Sequence, residues 1–159
     1  MKILAIFDAD DTMWDVAEPI WDRGVREARG DLLILFDSTE LRLRSEVRPG
    51  LRALKARGVL LAVASHNIDL PDAGVKGALE ALKIADLFDQ VMVRNSSDKN
   101  AMIRDICEAL EVDLAKDKVF FTDDSEKHVA NARKIGVKTI LAEASIHNFF
   151  DVVLGAASK

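Results

Sequence analysis

An uninterrupted apolar run near the N-terminus, Ile3-Leu4-Ala5-Ile6-Phe7, ends directly in Asp8-Ala9-Asp10-Asp11-Thr12, and the chain then repeats that design. Val59–Ala64 ends in Ser65-His66-Asn67, Val91–Val93 runs into the polar stretch Arg94–Lys99, and Lys118–Phe121 leads into Thr122-Asp123-Asp124-Ser125. Runs without polar interruption suit strands covered on both faces, whereas a half-exposed strand would alternate. A fifth apolar run lies near 137–141, and helical spacing occupies residues near 50–57, 72–87, 99–111 and 126–135. Such alternation implies parallel strands joined by helical crossovers. The fold class is therefore α/β, with a single doubly wound sheet of five parallel strands and helices on both faces. Pro49 and Pro71 fall at helix starts, where a missing N–H costs nothing. Gly58 and Gly136 fall where helices should stop.

In open α/β sheets the ligand crevice lies beyond the carboxyl ends of the strands. Asp8 and Asp10 should therefore project into a site. Two neighbouring carboxylates raise each other's cost of ionisation, and a divalent cation is the simplest remedy. Carboxylate oxygens suit a hard ion such as Mg²⁺, which keeps room for a phosphate. Ser65, at the same edge, offers a hydroxyl and adjacent backbone N–H groups to a phosphate oxygen. Lys99 opens a helix, where a cation opposes the dipole unless something anionic sits beside it. The acid pair Asp123-Asp124 at a further strand end completes enough oxygen ligands for one shared metal.

The ordered set Asp8-x-Asp10-x-Thr12, Ser65, Lys99 and Asp123-Asp124 resembles the four motifs of the haloacid dehalogenase superfamily, over most of the chain. Asp11-Thr12-Met13-Trp14, the Ala64-Ser65 strand end and the Arg94…Lys99 loop resemble its capless magnesium-dependent phosphatase branch. The resemblance implies a Rossmann-like fold and Mg²⁺-dependent hydrolysis of phosphate monoesters through an aspartyl-phosphate. It makes Asp8 the nucleophile, Asp10 the general acid/base, Ser65 and Lys99 the phosphate-binding pair, and Thr12 the residue that orients the loop. Metal ligands would be Asp8, Asp124 and the main-chain carbonyl of Asp10. His66, Asn67, Arg94 and Asp123 are the remaining residues expected to orient or contact substrate. Asp11 stands where many relatives carry glycine or an aromatic, and His66-Asn67 where arginine and threonine are common.

At 159 residues the chain is expected to form one domain, 1–159. The segment near 16–47 is expected to be a small flap: Leu32–Phe36 and Leu41–Arg44 flank Asp37-Ser38-Thr39-Glu40 as a hairpin would. Trp14, Trp21, Arg42, Arg44 and Arg48 are candidates for its inner surface. A net charge of −5 argues against nucleic acid or an anionic membrane as the main partner. The partner is then a small-molecule or phosphoprotein phosphate ester, and a homodimer is one way an uncapped site would be completed. The single cysteine, Cys107, lies on the stripe Ile103, Ile106, Leu110 and reads as a core residue. A strand that begins at residue 2, with no membrane-length apolar run, gives a cytoplasmic expectation. His128 and His147 have no partner spacing and are expected at the surface. Two rival readings share the scaffold: a phosphorylation-controlled receiver, whose accepting Asp would end the middle strand, and a catalytically silent binding module.

Overall fold

The computed structural model describes residues 1–158. Five parallel strands form the main sheet, β1 (Ile3–Phe7), β6 (Leu60–His66), β7 (Gln90–Arg94), β8 (Lys118–Asp123) and β9 (Lys138–Leu141), in the order β7-β6-β1-β8-β9. The register Ala5 with Leu61 and Phe120, and Phe7 with Val63 and Thr122, aligns the strand ends. Successive side chains point to opposite faces, so each strand feeds two cores. Ala5, Phe7, Leu61, Val63 and Phe120 meet α1 (Val47–Ala56), α2 (Gly74–Ala81) and α5 (His147–Ala157). Leu4, Ile6, Ala62, Ala64 and Phe121 meet α3 (Lys99–Ala109) and α4 (Glu126–Arg133). Cys107 is buried on that second side. Gly50 lets α1 and α5 approach closely: a Cβ there would lie 2.5 Å from the Phe150 ring.

The chain moves outward from β1 through β6 to β7, then returns to the other side of β1 for β8 and β9. The carboxyl end of β1 is thus the reversal point, where such sheets bind ligands. Asp8 follows β1 directly, and its N–H donates to Thr122 O at 3.0 Å.

The insert between β1 and α1 holds more than the expected hairpin. β2 (Trp14–Val16), β3 (Val25–Arg29), β4 (Leu32–Leu35) and β5 (Glu40–Leu43) form an antiparallel sheet in the order β2-β5-β4-β3. Leu33, Leu35, Leu41 and Leu43 are buried while Glu40 and Arg42 face water, the period-two pattern of a sheet covered on one side. Those leucines join the same core as Phe7 and α1. The flap shares the main core instead of needing its own.

Candidate active site

Period-two geometry sets the site. Asp8 continues the face of Leu4 and Ile6, and Asp123 that of Val119 and Phe121, so both carboxylates aim at the side covered by α3. Lys99, the first residue of α3, is 3% exposed. Its Nζ donates to Asp8 Oδ1 at 2.8 Å and to Ala64 O at 2.6 Å, and it pairs with Asp123 Oδ2 at 3.0 Å. The lysine that opposes the helix dipole thus has two carboxylates beside it. Thr12 Oγ1 donates to the other Asp8 oxygen at 3.1 Å. Ser65 is buried at the end of β6, opposite Val93 in register.

Asp8, Asp123 and Asp124 each offer a carboxylate oxygen within 4.8 Å of the others. Three carboxylates face one ammonium, an excess of negative charge that fits a divalent cation held by oxygen ligands. Their protonation shows the same imbalance. Burial raises the Asp8 carboxyl above its ordinary range, against the pull of Lys99, and Asp123 raises it further. Asp124 keeps an exposed face, yet partial burial, with Asp8 and Asp123 alongside, pushes its carboxyl up to about 8. Burial would lower the Lys99 ammonium, but Asp8 and Asp123 more than reverse this and it stays protonated.

Asp10 points elsewhere. Its Oδ1 accepts from Trp14 Nε1 at 2.7 Å, and its Oδ2 from Asn67 Nδ2 at 2.8 Å and the Ile20 N–H at 3.1 Å. Burial raises its carboxyl, and the three donors work in the opposite direction. With its side chain so committed, Asp10 would offer a cation only its main-chain carbonyl. Asp11, next in the chain, adopts a left-handed backbone at φ 59°.

Several side chains lie where the residue pattern alone does not put them. His128 belongs to the site: its Nδ1 lies 3.1 Å from Asp123 Oδ2. A signal for it exists in the sequence, since Ser125 caps α4 and a residue in the first turn leans back toward the strand end. His66 Nε2 lies 3.3 Å from Asn95 Oδ1, and its ring meets Trp21 edge-on at 5.8 Å. Arg94 turns away to pair with Asp105 at 2.7 Å.

The flap arginines correct the expectation that they line the inner surface. Arg44 is buried and donates to Asp11 O at 2.9 Å, to Glu143 O at 2.6 Å and to Asp15 Oδ1 at 3.0 Å. Arg48 ties Asp31 to Leu82 O, and Arg42 is exposed on β5. Trp14 is fully buried and acts on Asp10 through its indole N–H.

The middle strand is β1, so a strand-end Asp of the kind a receiver needs is present, and the β8 acid pair is the feature a receiver does not require. Comparison with known proteins separates the readings. A family model described as Acid Phosphatase matches residues 1–149. The chain belongs to that family of acid phosphatases, and a HAD phosphatase from Thermococcus onnurineus, 21% identical with TM-score 0.53 over 65% of this chain and 47% of that one, shares its fold. No curated protein matches this chain significantly.

Among solved structures, an uncharacterized Listeria monocytogenes serotype 4b protein is 18% identical, with TM-score 0.64 over 87% of this chain and 77% of that one. The N-terminal part of a Bacteroides fragilis protein, containing a phosphatase domain and complexed with Mg, is 19% identical with TM-score 0.63, over 96% of this chain and 40% of that one. A predicted phosphoglycolate phosphatase from Haemophilus somnus is 25% identical with TM-score 0.52, over 62% of this chain and 44% of that one. The chain spans less than half the length of the last two. None of the helices among the described residues is long and apolar enough to cross a membrane.

Proposed function

We propose that this phosphatase hydrolyses phosphate monoesters through an aspartyl-phosphate on Asp8, with Mg²⁺ as cofactor. The observation that carries the reading is the Asp8–Lys99–Asp123 arrangement beside Asp124: a carboxylate at the reversal point of the sheet, one oxygen bound to a buried ammonium, within 4.8 Å of two further acids. Asp8 and Asp124 would hold the cation, with Asp123 in reach. Bound there, Mg²⁺ would neutralise charge on the phosphoryl oxygens.

In the first step an Asp8 oxygen forms a bond to phosphorus while the bond to the leaving oxygen breaks, and Asp10 gives its proton to that oxygen. In the second, water attacks phosphorus, its proton passes to the Asp10 carboxylate, and the Asp8–phosphorus linkage breaks to release orthophosphate. Dividing one hard displacement in two is what a weak carboxylate nucleophile can contribute. Phosphoryl transfer otherwise needs positioning and charge neutralisation, supplied here by Lys99 and the Ser65 hydroxyl. Thr12 would fix the attacking rotamer of Asp8. The net charge of −5 leaves attraction of the substrate to these local groups. The substrates in view are small-molecule and phosphoprotein esters in the cytoplasm.

The test is turnover of 4-nitrophenyl phosphate with and without Mg²⁺ by wild type and Asp8→Asn. Removing the nucleophile should cost on the order of 10⁴-fold or more in kcat. Retained turnover in Asp8→Asn under saturating Mg²⁺ would rule the covalent route out.

A further inference from the structure

Among the described residues Trp21 is the one bulky aromatic with a left-handed backbone, φ 47°. An aromatic there is a true outlier, because its Cβ crowds the following carbonyl. The turn itself has a purpose, since the Ile20 N–H reaches Asp10 and the Arg23 N–H closes onto Ile20 O at 3.0 Å. Glycine, asparagine or aspartate would make the same turn at lower cost. The conformation is explained by the turn; the tryptophan is not.

The ring explains the residue. It remains 36% exposed and sits edge-on to His66, which follows the phosphate-binding Ser65 and precedes Asn67, a donor to Asp10. Its backbone is pinned from behind. Gly74 passes so close that a Cβ would lie 2.3 Å from Trp21 O, and the Gly74 N–H donates to Arg23 O at 2.9 Å. Arg23 Nη2 donates to Glu18 O and Pro19 O, fixing the chain on the other side. A rigid segment therefore holds an indole half in solvent, one residue from the group that donates to Asp10.

We propose that Trp21 is a specificity-determining residue: with His66 and Asn95 it walls the leaving-group side of the phosphate site and selects monoesters whose leaving group presents a flat ring face. This rests on the phosphatase reading above. The shared chemistry is a ring packed on an indole, supplied by an aromatic leaving group or by the C–H face of a sugar. Polar, open-chain leaving groups gain nothing from it.

The experiment compares wild type, Trp21→Ala and Trp21→Phe on 2-naphthyl phosphate, glucose 6-phosphate and glycerol 3-phosphate. Taking mutant-to-wild-type ratios within each substrate cancels intrinsic leaving-group reactivity. Trp21→Ala should lose about tenfold in kcat/KM on at least one ring substrate relative to glycerol 3-phosphate, mostly through KM, and Trp21→Phe should restore most of it. The arm that falls further names the ring. Equal losses on all three substrates, or a fall confined to kcat, would overturn the proposal by showing that Trp21 only supports the Ile20 turn. Calorimetric binding of the same esters and of inorganic phosphate to Asp8→Asn, with and without Trp21→Ala, decides independently of turnover. Ring-dependent binding that survives Trp21→Ala overturns the proposal even if catalysis fits. Absence of wild-type turnover on all three would count against the phosphatase reading, while the binding arm still decides the role of Trp21.

Discussion

Asp8 and Asp10 stand two residues apart, yet the regions that hold them are built by different means. Asp8 is held by the parallel sheet: charged partners from α3 and β8, every element buried in a continuous core. Asp10 is held by the flap side: three neutral N–H donors from β2, the Ile20 turn and the loop after β6, next to left-handed residues at Asp11 and Trp21. In a low-dielectric setting the Lys99 ammonium offsets only part of the cost of charging Asp8, and a bound cation would offset the rest. The neutral half suits a carboxyl that, on the proposed mechanism, would both give and take a proton. On the proposed mechanism charge handling would sit on the parallel strands and leaving-group handling on the insert, which is packed on the same core as Phe7.

The largest test separates the two halves by leaving group. Asp10→Asn should slow glycerol 3-phosphate hydrolysis by about 10²- to 10⁴-fold and 4-nitrophenyl phosphate by far less, because a good leaving group needs little protonation. Steady-state kcat on the two esters measures it. Equal losses would place Asp10 functionally with the metal site and erase the division.

Next in size is the tie between the flap and the loop that carries Asp10. Arg44→Ala removes the buried donor to Asp11 O and Glu143 O, with an expected loss of about 2–4 kcal/mol of stability. Asp15, the exposed acid that pairs with Arg44, should cost under about 1 kcal/mol when changed to Ala. Urea midpoints at constant slope decide. Similar losses for both would mean the ion pair, and not the carbonyl ties, carries the flap.

The sheet half is legible in sequence because buried parallel strands read as plain apolar runs, and their ends point at one edge. Asp8, Ser65 and Asp123-Asp124 lie at such strand ends, and Lys99 reads from its place at a helix start. The flap half is not. β3, Val-Arg-Glu-Ala-Arg, is mostly exposed and shows no apolar period, and β2 has three residues. The Ile20 N–H that reaches Asp10 is backbone and has no side-chain signature. Arg44 reads in sequence as one of a pair of alternating arginines, and only its burial shows it spanning to Glu143. His128 lacks a spacing partner along the chain, though its place one turn into α4 already aims it at Asp123.

The charged half should also respond to pH and cation, to a smaller extent. Asp8 and Asp124 bind protons more tightly folded than unfolded, with Asp124 near 8 against 3.8. The Asp124 contribution to stability is fully present below about pH 4 and is lost as pH rises through about 8, and that of Asp8 falls in the same direction. Metal-free protein should therefore lose melting temperature between pH 6 and 8. A fixed Mg²⁺ concentration set at ten times the Kd measured at pH 8 should restore about 1.4 kcal/mol there, and less at pH 6 because protons compete for the same carboxylates. A Mg²⁺ effect of the same size in Asp124→Asn would move the cation away from this cluster.

The smallest effect isolates the strain in the flap half. Trp21→Ala and Trp21→Gly lose the same ring to within a methyl group, so the lost packing cancels between them and the backbone remains. Holding Ala at φ near 47° costs about 1–2 kcal/mol, whereas Gly takes that conformation freely. Gly in turn has more freedom to lose on folding, which returns about 0.4–1 kcal/mol. Trp21→Gly should therefore be the more stable of the two by up to about 1.5 kcal/mol, read as the difference in urea midpoint. The opposite order would show that the turn relaxes once the indole is gone, so that the ring itself, and not the pinned segment behind it, sets the left-handed backbone.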